Sequence, residues 1–160
     1  MLVEIRIDES LWDAANDERR REWRLLIAEL IEHHPADGGE DLRLTLVPGG
    51  GDGMILALER LDGTSSASAV VPADALAPHF RAYLDVCHQM MMLIEGSHSA
   101  RLEALDMAKR VTHDRAAKTL LEFCPSIVPD HNTARRLFSL LTSLAFDTSR
   151  MQGGHRVPRG

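Results

Sequence analysis

Strand-like spacing of the hydrophobic residues stops at Asp74, and this change restricts the possible folds more than any other feature. Before Asp74, with the exception of one helical segment, apolar and polar residues alternate in short segments, which is typical of strands with one buried face. After Asp74, apolar residues recur every three or four positions, as in amphipathic helices. Strands that are followed by a run of helices indicate an α+β domain.

The first half of the chain predicts a small antiparallel meander sheet and one N-terminal helix. A strand begins at Leu2, and a helix follows Asn16 or Asp17, either of which can act as its N-cap. Two further strands flank the glycine-rich segment 48–53, which lacks the Gly-Lys-Ser/Thr ending of a phosphate loop and predicts a hairpin tip. An Asp-Gly pair then predicts the turn into the last strand of the meander.

The second half predicts a C-terminal layer of three or four helices that packs against the sheet. The first of them should start near Asp74, because Pro78 is tolerated only in the first turn of a helix. Thr112 and Asp114 are both possible N-caps, so the segment around His113 forms either one helix or two. A final helix is expected after the last of the prolines that interrupt this half.

Length and composition bound the domain organisation and the class of protein. A chain of 160 residues can bury one core, and we expect a single α+β domain over residues 1–146 with a flexible polar tail over residues 147–160.

The net charge of −6 and the scarcity of aromatic residues argue against nucleic-acid binding. No apolar run approaches the about 20 residues that span a membrane, so no membrane partner is expected. Two cysteines without CxxC spacing and an N-terminus without a secretory segment predict a cytoplasmic protein.

One stripe of the second helical half carries the highest density of reactive side chains. On a helix of about 3.6 residues per turn, four of them share an arc of about 80°: Glu103, Asp106, Arg110 and His113. A carboxylate beside a histidine is the minimum for general acid-base chemistry, and an arginine can bind an anion. The simpler interpretation is a surface helix on which Asp106 and Arg110, four residues apart, form an ion pair.

Arg135 and Arg136, near the start of the last helix, form the second candidate site. The N-terminus of a helix presents free amides and a partial positive charge, so adjacent arginines can complete a site for a phosphate or carboxylate. Alternatively, they pair with Glu103 or Asp106 and connect the two helices, which is the interpretation that we favour. The eight histidines show no zinc-ligand spacing, so no metal or cofactor is expected.

Two runs of sequence resemble a known family signature. Glu103-Ala-Leu-Asp-Met-Ala-Lys-Arg is followed by His113 and then by Thr133-Ala-Arg-Arg-Leu-Phe-Ser-Leu, and together they resemble the signature of UPF0262, a small bacterial family known only as uncharacterised. The resemblance extends from about Asn16 to Leu144. It implies a cytoplasmic protein of this length for which no activity, cofactor or catalytic residue is established.

These observations favour a non-catalytic binding or regulatory protein that acts as a homo-oligomer, with a homodimer formed through the helical layer. In this interpretation the stripe of Glu103, Asp106, Arg110 and His113 forms an internal polar network with the two arginines. The alternative is a small enzyme that acts on an anionic metabolite. In that enzyme His113 is the general base, Asp106 orients it, and the arginines at 110, 135 and 136 hold the anion, with Glu103 as a further catalytic candidate.

Overall fold

The computed structural model describes residues 1–36, 38–51, 53–93 and 99–148. Across these ranges the chain forms four strands and five helices. In chain order they are β1 (Leu2–Ile7), α1 (Glu9–Ala14), α2 (Asp17–His33), β2 (Leu42–Pro48), β3 (Met54–Arg60), β4 (Ser65–Val71), α3 (Ala73–Met91), α4 (Ser99–Phe123) and α5 (His131–Ala145). The predicted α+β class is confirmed, and α3, α4 and α5 are the predicted C-terminal helices.

The sheet is mixed, which corrects the prediction of a purely antiparallel meander. Its strand order is β1-β2-β3-β4. β2, β3 and β4 are antiparallel neighbours, whereas β1 lies parallel to β2, with Ile5 opposite Leu44. Parallel neighbours need a long crossover connection, and α1 and α2 provide it. β1 therefore lies at one edge of the sheet.

α2 begins where the sequence predicted and packs its apolar stripe inward. Of the two possible caps, Asn16 is the one used, because its side-chain oxygen accepts a hydrogen bond of 2.8 Å from the amide of Arg19. Trp23 and Leu30 on the inner stripe are buried. The indole nitrogen of Trp23 donates a 3.1 Å hydrogen bond to the carbonyl of Ser143 in α5, so α2 is attached to α5 by a polar bond as well as by apolar contact.

α5 is the central helix of the domain. Asp130 caps it by accepting a 2.7 Å hydrogen bond from the amide of Thr133. Nine of its 15 residues are buried, and Phe138 stacks on Phe80 of α3 with 5.7 Å between ring centroids. The side chains of α5 that remain partly exposed near its start are polar: His131, Asn132, Arg135, Arg136 and Ser139. The packing of the core therefore leaves one polar face of this helix accessible.

α4 is one continuous helix, so the structure shows no joint near His113. Thr112 donates its hydroxyl to the carbonyl of Ala108 at 2.9 Å, a bond within the helix and not a cap.

Of the predicted tail, only Asp147 and Thr148 are described, and the other residues of 147–160 lie outside the described ranges. The hydroxyl of Thr148 is buried and donates to the carboxylate of Glu22. None of the described helices combines the length and apolar character needed to cross a membrane.

The central position of α5 predicts a large difference between two chemically identical substitutions. Leu141 in α5 is 1% exposed and Leu25 in α2 is 41% exposed. Leu141→Ala leaves a cavity in the core and should lower the free energy of unfolding by about 3 to 4 kcal/mol. Leu25→Ala should lower it by less than about 1 kcal/mol. Urea denaturation followed by circular dichroism measures both, and equal losses would show that α5 is not enclosed as described.

Candidate functional site

A concavity of about 200 Å³ lies between α4 and the first turns of α5. α4 contributes His113, and α5 contributes the other lining residues: Asn132, Arg135, Arg136 and Ser139. The four α5 residues follow the spacing i, i+3, i+4 and i+7, which places them on one face of the helix. This face is the one that the core leaves accessible, so the concavity is lined by polar and cationic groups on a rigid support.

Arg135 is held in place by a carboxylate from α4. Its Nη1 donates a 2.6 Å hydrogen bond to Oδ1 of Asp114, and the same oxygen lies 3.1 Å from Nε2 of His131. The hydrogen bond with His131, together with the charge of Arg135, lowers the pKa of Asp114 below its usual value. Asp114 therefore stays ionised, fixes the direction of the Arg135 guanidinium and compensates its charge.

Arg136 is in a different electrostatic position. Within the described ranges, its guanidinium makes no hydrogen bond or ion pair. Its charge interacts with Asp130, whose pKa is lowered chiefly by the backbone hydrogen bond from Thr133 and to a smaller extent by Arg136. Arg136 thus lines the concavity with a guanidinium whose N–H donors form no hydrogen bond to the described residues and whose charge is offset only in part.

His113 lies between two aromatic rings at the wall of the concavity. Its ring centroid is 5.1 Å from that of Tyr83 and 5.6 Å from that of Phe138. Its Nε2 lies 3.5 Å from Oγ of Ser139. Burial, together with the positive charges of Arg135 and Lys109, lowers the pKa of His113 to about 4. The imidazole is therefore neutral at physiological pH.

Of the candidate residues that the sequence predicted, the structure brings His113, Arg135 and Arg136 together. The other three candidates, Glu103, Asp106 and Arg110, are exposed on α4, and they form no ion pair within the ranges that the structure describes. The carboxylate that binds Arg135 is that of Asp114 and not that of Glu103 or Asp106. Ser139 is the one side chain in polar contact with His113 among the described residues, so no carboxylate orients the imidazole.

Sequence reasoning missed four residues at or beside this site. Asn132 and Ser139 share the helical spacing of the two arginines, so a polar stripe on the last helix was a signal that could have identified them. Asp114 and His131 gave no such signal, because their contact depends on the rotation of α4 relative to α5. That rotation is a property of the packed core and not of either segment alone.

The two cysteines of the chain are not placed to act as nucleophiles. Cys87 and Cys124 are buried, and they form no disulfide with each other. Burial raises the pKa of Cys87, and it raises the pKa of Cys124 to about 11, so both side chains remain thiols and not nucleophilic thiolates. In the described part of the chain, no group of three histidine, cysteine, aspartate or glutamate side chains is placed to hold a metal ion.

The low pKa of His113 predicts how stability depends on pH. The folded protein keeps the ring neutral down to about pH 4, whereas the unfolded chain protonates it near pH 6.5. The contribution of the neutral His113 ring to the free energy of unfolding is therefore complete above pH 6.5. It is lost as the pH falls toward 4, which lowers the free energy of unfolding by at most about 3 kcal/mol. His113→Phe, which preserves a ring between Tyr83 and Phe138, should flatten the pH dependence of the melting temperature over this interval.

His88→Phe is the matched control, because the same substitution is made at an exposed position of α3. His79, whose pKa is also lowered by burial, is present in both variants and leaves a residual slope of the same sign. The wild type and the His88 variant should therefore show the same slope between pH 4 and 6.5. An unchanged slope in His113→Phe would contradict the burial of a neutral imidazole at this site.

Comparisons with known proteins establish the family. A family model, Uncharacterised protein family (UPF0262), matches residues 1–147. A UPF0262 protein of Sphingopyxis alaskensis is 28% identical over 152 residues, which are 89% of this chain and 92% of the relative. A UPF0262 protein of Brucella anthropi is 30% identical over 151 residues, with the same two shares. No solved structure matches the chain. The resemblance seen in the sequence is confirmed, and the chain belongs to the uncharacterised protein family UPF0262.

Proposed function

We propose that this chain is a non-catalytic protein that binds a small anionic ligand in the concavity between α4 and α5 and acts as a homo-oligomer. The observation that carries the proposal is the guanidinium of Arg136, which lies on the accessible face of α5 and pairs with no other residue that the structure describes. The planar guanidinium of an arginine matches the geometry of a carboxylate or of the oxygens of a phosphate and can form two parallel hydrogen bonds with it.

The neighbouring groups support the same ligand class. The side-chain amide of Asn132 and the hydroxyl of Ser139 can donate hydrogen bonds to anionic oxygens, and the neutral ring of His113 adds one polar nitrogen. A volume of about 200 Å³ is below that of a drug-sized pocket, which is about 300 Å³ or more, and suits a phosphoryl or carboxylate group of a small molecule. Arg135 forms part of the wall of the concavity, but it adds little attraction for an anion because Asp114 neutralises its charge.

The arrangement supports binding and not proton transfer. A general base that works near neutral pH needs a pKa near the working pH, and the pKa of His113 is about 4. The carboxylate that would orient and activate the ring in the enzyme interpretation, Asp106 or Glu103, is exposed elsewhere on α4. We therefore propose no reaction at this site.

The other parts of the proposal concern assembly and location. An edge strand with an apolar groove beside it supports a homo-oligomer, because such an edge exposes main-chain groups that a second chain can pair. We also propose that the protein works in the cytoplasm. Two buried thiols that form no disulfide with each other are compatible with a reducing compartment.

The ligand proposal predicts that inorganic phosphate stabilises the wild type through Arg136. At constant ionic strength, adjusted with chloride, the melting temperature should rise with phosphate concentration in proportion to occupancy. Arg136→Gln removes the charge but keeps a side chain of similar length and polarity. Because a charged hydrogen bond contributes about 1.5 to 3 kcal/mol, this variant should bind phosphate at least about tenfold more weakly.

Arg81→Gln provides the matched control, since Arg81 is exposed on α3 away from the concavity. Its phosphate response should equal that of the wild type, and both variants should have unchanged circular dichroism without phosphate. A small dicarboxylate tested in parallel distinguishes preference for a carboxylate from preference for a phosphate. If the variants at 136 and 81 respond equally to every anion, the concavity is not an anion site.

A further inference from the structure

A groove of about 510 Å³ runs between β1 and α2. Three consecutive strand residues, Ile5, Arg6 and Ile7, line one wall. The other wall consists of Trp12 in α1 and of four residues on one face of α2: Arg24, Ile27, Ala28 and Ile31. Successive strand side chains point to opposite faces of a sheet, so a groove lined by three in a row follows the edge of the strand and not one face.

The main chain of β1 has hydrogen-bonding groups directed along this edge. Asp8 donates its amide to the carbonyl of Leu46 in β2 at 3.0 Å. Because main-chain groups alternate in direction along a strand, Arg6 also faces β2, whereas Ile5 and Ile7 direct their amides and carbonyls to the open side. No strand in the described part of the chain pairs with that side. An open strand edge of this kind can be paired by a strand from another chain.

The sequence of β1 is complementary to itself in the antiparallel direction. When two copies are centred on Ile5, each Ile5 lies opposite its own equivalent, and Glu4 of each chain lies opposite Arg6 of the other. Since Ile5 directs its hydrogen-bonding groups outward, the Glu4 and Arg6 positions form the non-hydrogen-bonded pairs, in which facing side chains are closest. A two-fold axis through Ile5 therefore gives two pairs of opposite charges, each formed by Glu4 of one copy and Arg6 of the other.

The side chains around β1 are placed so that a second copy of the strand can make the same kinds of contact. The Glu4 carboxylate accepts hydrogen bonds from Arg43 at 2.7 Å and from Arg6 of its own chain at 2.8 Å. The bond from Arg43 fixes the carboxylate above the strand. Arg6 is exposed and can turn from its own Glu4 to that of a second copy. The half-buried Ile27 and Ile31 of α2 offer apolar contact to the side chains of an added strand.

We infer that two copies of this chain join through antiparallel pairing of their β1 strands about Ile5, which makes one continuous eight-stranded sheet. This inference rests on the proposed homo-oligomer and names its contact surface. It differs from the helical layer that the sequence favoured. α4 does expose Met107 and Val111, but its main-chain groups are satisfied within the helix and need no partner.

Disulfide trapping in the full chain tests the register. Glu4→Cys and Arg6→Cys variants are purified separately, mixed and oxidised. The Cα atoms of a non-hydrogen-bonded antiparallel pair lie about 4.5 Å apart, within the range of about 4.4 to 6.8 Å that a disulfide bridges. The mixture should give a covalent dimer in high yield, while either variant alone should give little, because identical positions are offset across the axis. The native Cys87 and Cys124 are buried and should not compete.

Ile7→Pro tests the main-chain bonds, and light scattering coupled to size exclusion gives the oligomeric state. Proline removes an amide that faces the open edge and is tolerated at such positions, so the variant should be a folded monomer by circular dichroism while the wild type is a dimer. If this variant fails to fold, the trapping mixture alone decides between the outcomes.

The outcomes separate this inference from the proposals on which it rests. A wild type that is monomeric at high concentration would overturn both the strand pairing and the homo-oligomer. A dimer that is not trapped by the mixed cysteines and persists in Ile7→Pro would overturn the strand pairing and leave the homo-oligomer standing. Phosphate binding through Arg136 is measured independently and is unaffected by either result.

Discussion

The burial of α5 is the constraint on which the rest of the domain depends. Nine residues of this helix are inaccessible, so α2, α3 and α4 must pack around it, and the polar bonds of Trp23 with Ser143 and of Arg135 with Asp114 can form only in that packing. Enclosure of this kind leaves one face of the first turns open. Because that face carries arginine, asparagine and serine, the packing of the core and the position of the candidate site have the same cause.

The two adjacent arginines of α5 have different roles because their surroundings differ. Arg135 points toward α4 and is neutralised by Asp114, and His131 shares the same carboxylate oxygen. Arg136 points into the concavity without such a partner among the described residues. A local positive charge on a chain with a net charge of −6 attracts an anion only at short range, since salt screens the field of exposed charges beyond about 10 Å. The proposed selectivity therefore depends on direct contact with Arg136.

Hydrophobic spacing was sufficient to predict α2, the three C-terminal helices and the hairpins, because these elements depend on local periodicity and turn residues. It did not predict the parallel placement of β1, since alternation is the same in parallel and antiparallel strands and only the crossover through α2 decides between them. α1 was missed because its six residues include no buried side chain. The two arginines and His113 were identified as candidates, but the choice of Asp114 over Asp106 as the carboxylate that pairs with Arg135 required the relative rotation of two packed helices.

A heteronuclear NMR titration of the isotope-labelled protein with inorganic phosphate tests most directly whether the accessible face of α5 binds an anion. Amide resonances of residues 131–139 and of His113 should shift progressively and saturate, and resonances of the sheet should remain in place. The side-chain Nε–H signal of Arg136 should move farthest, since this guanidinium lines the concavity and has no partner in the described part of the chain. Shifts that are absent, or that are confined to residues outside α4 and α5, would contradict the account.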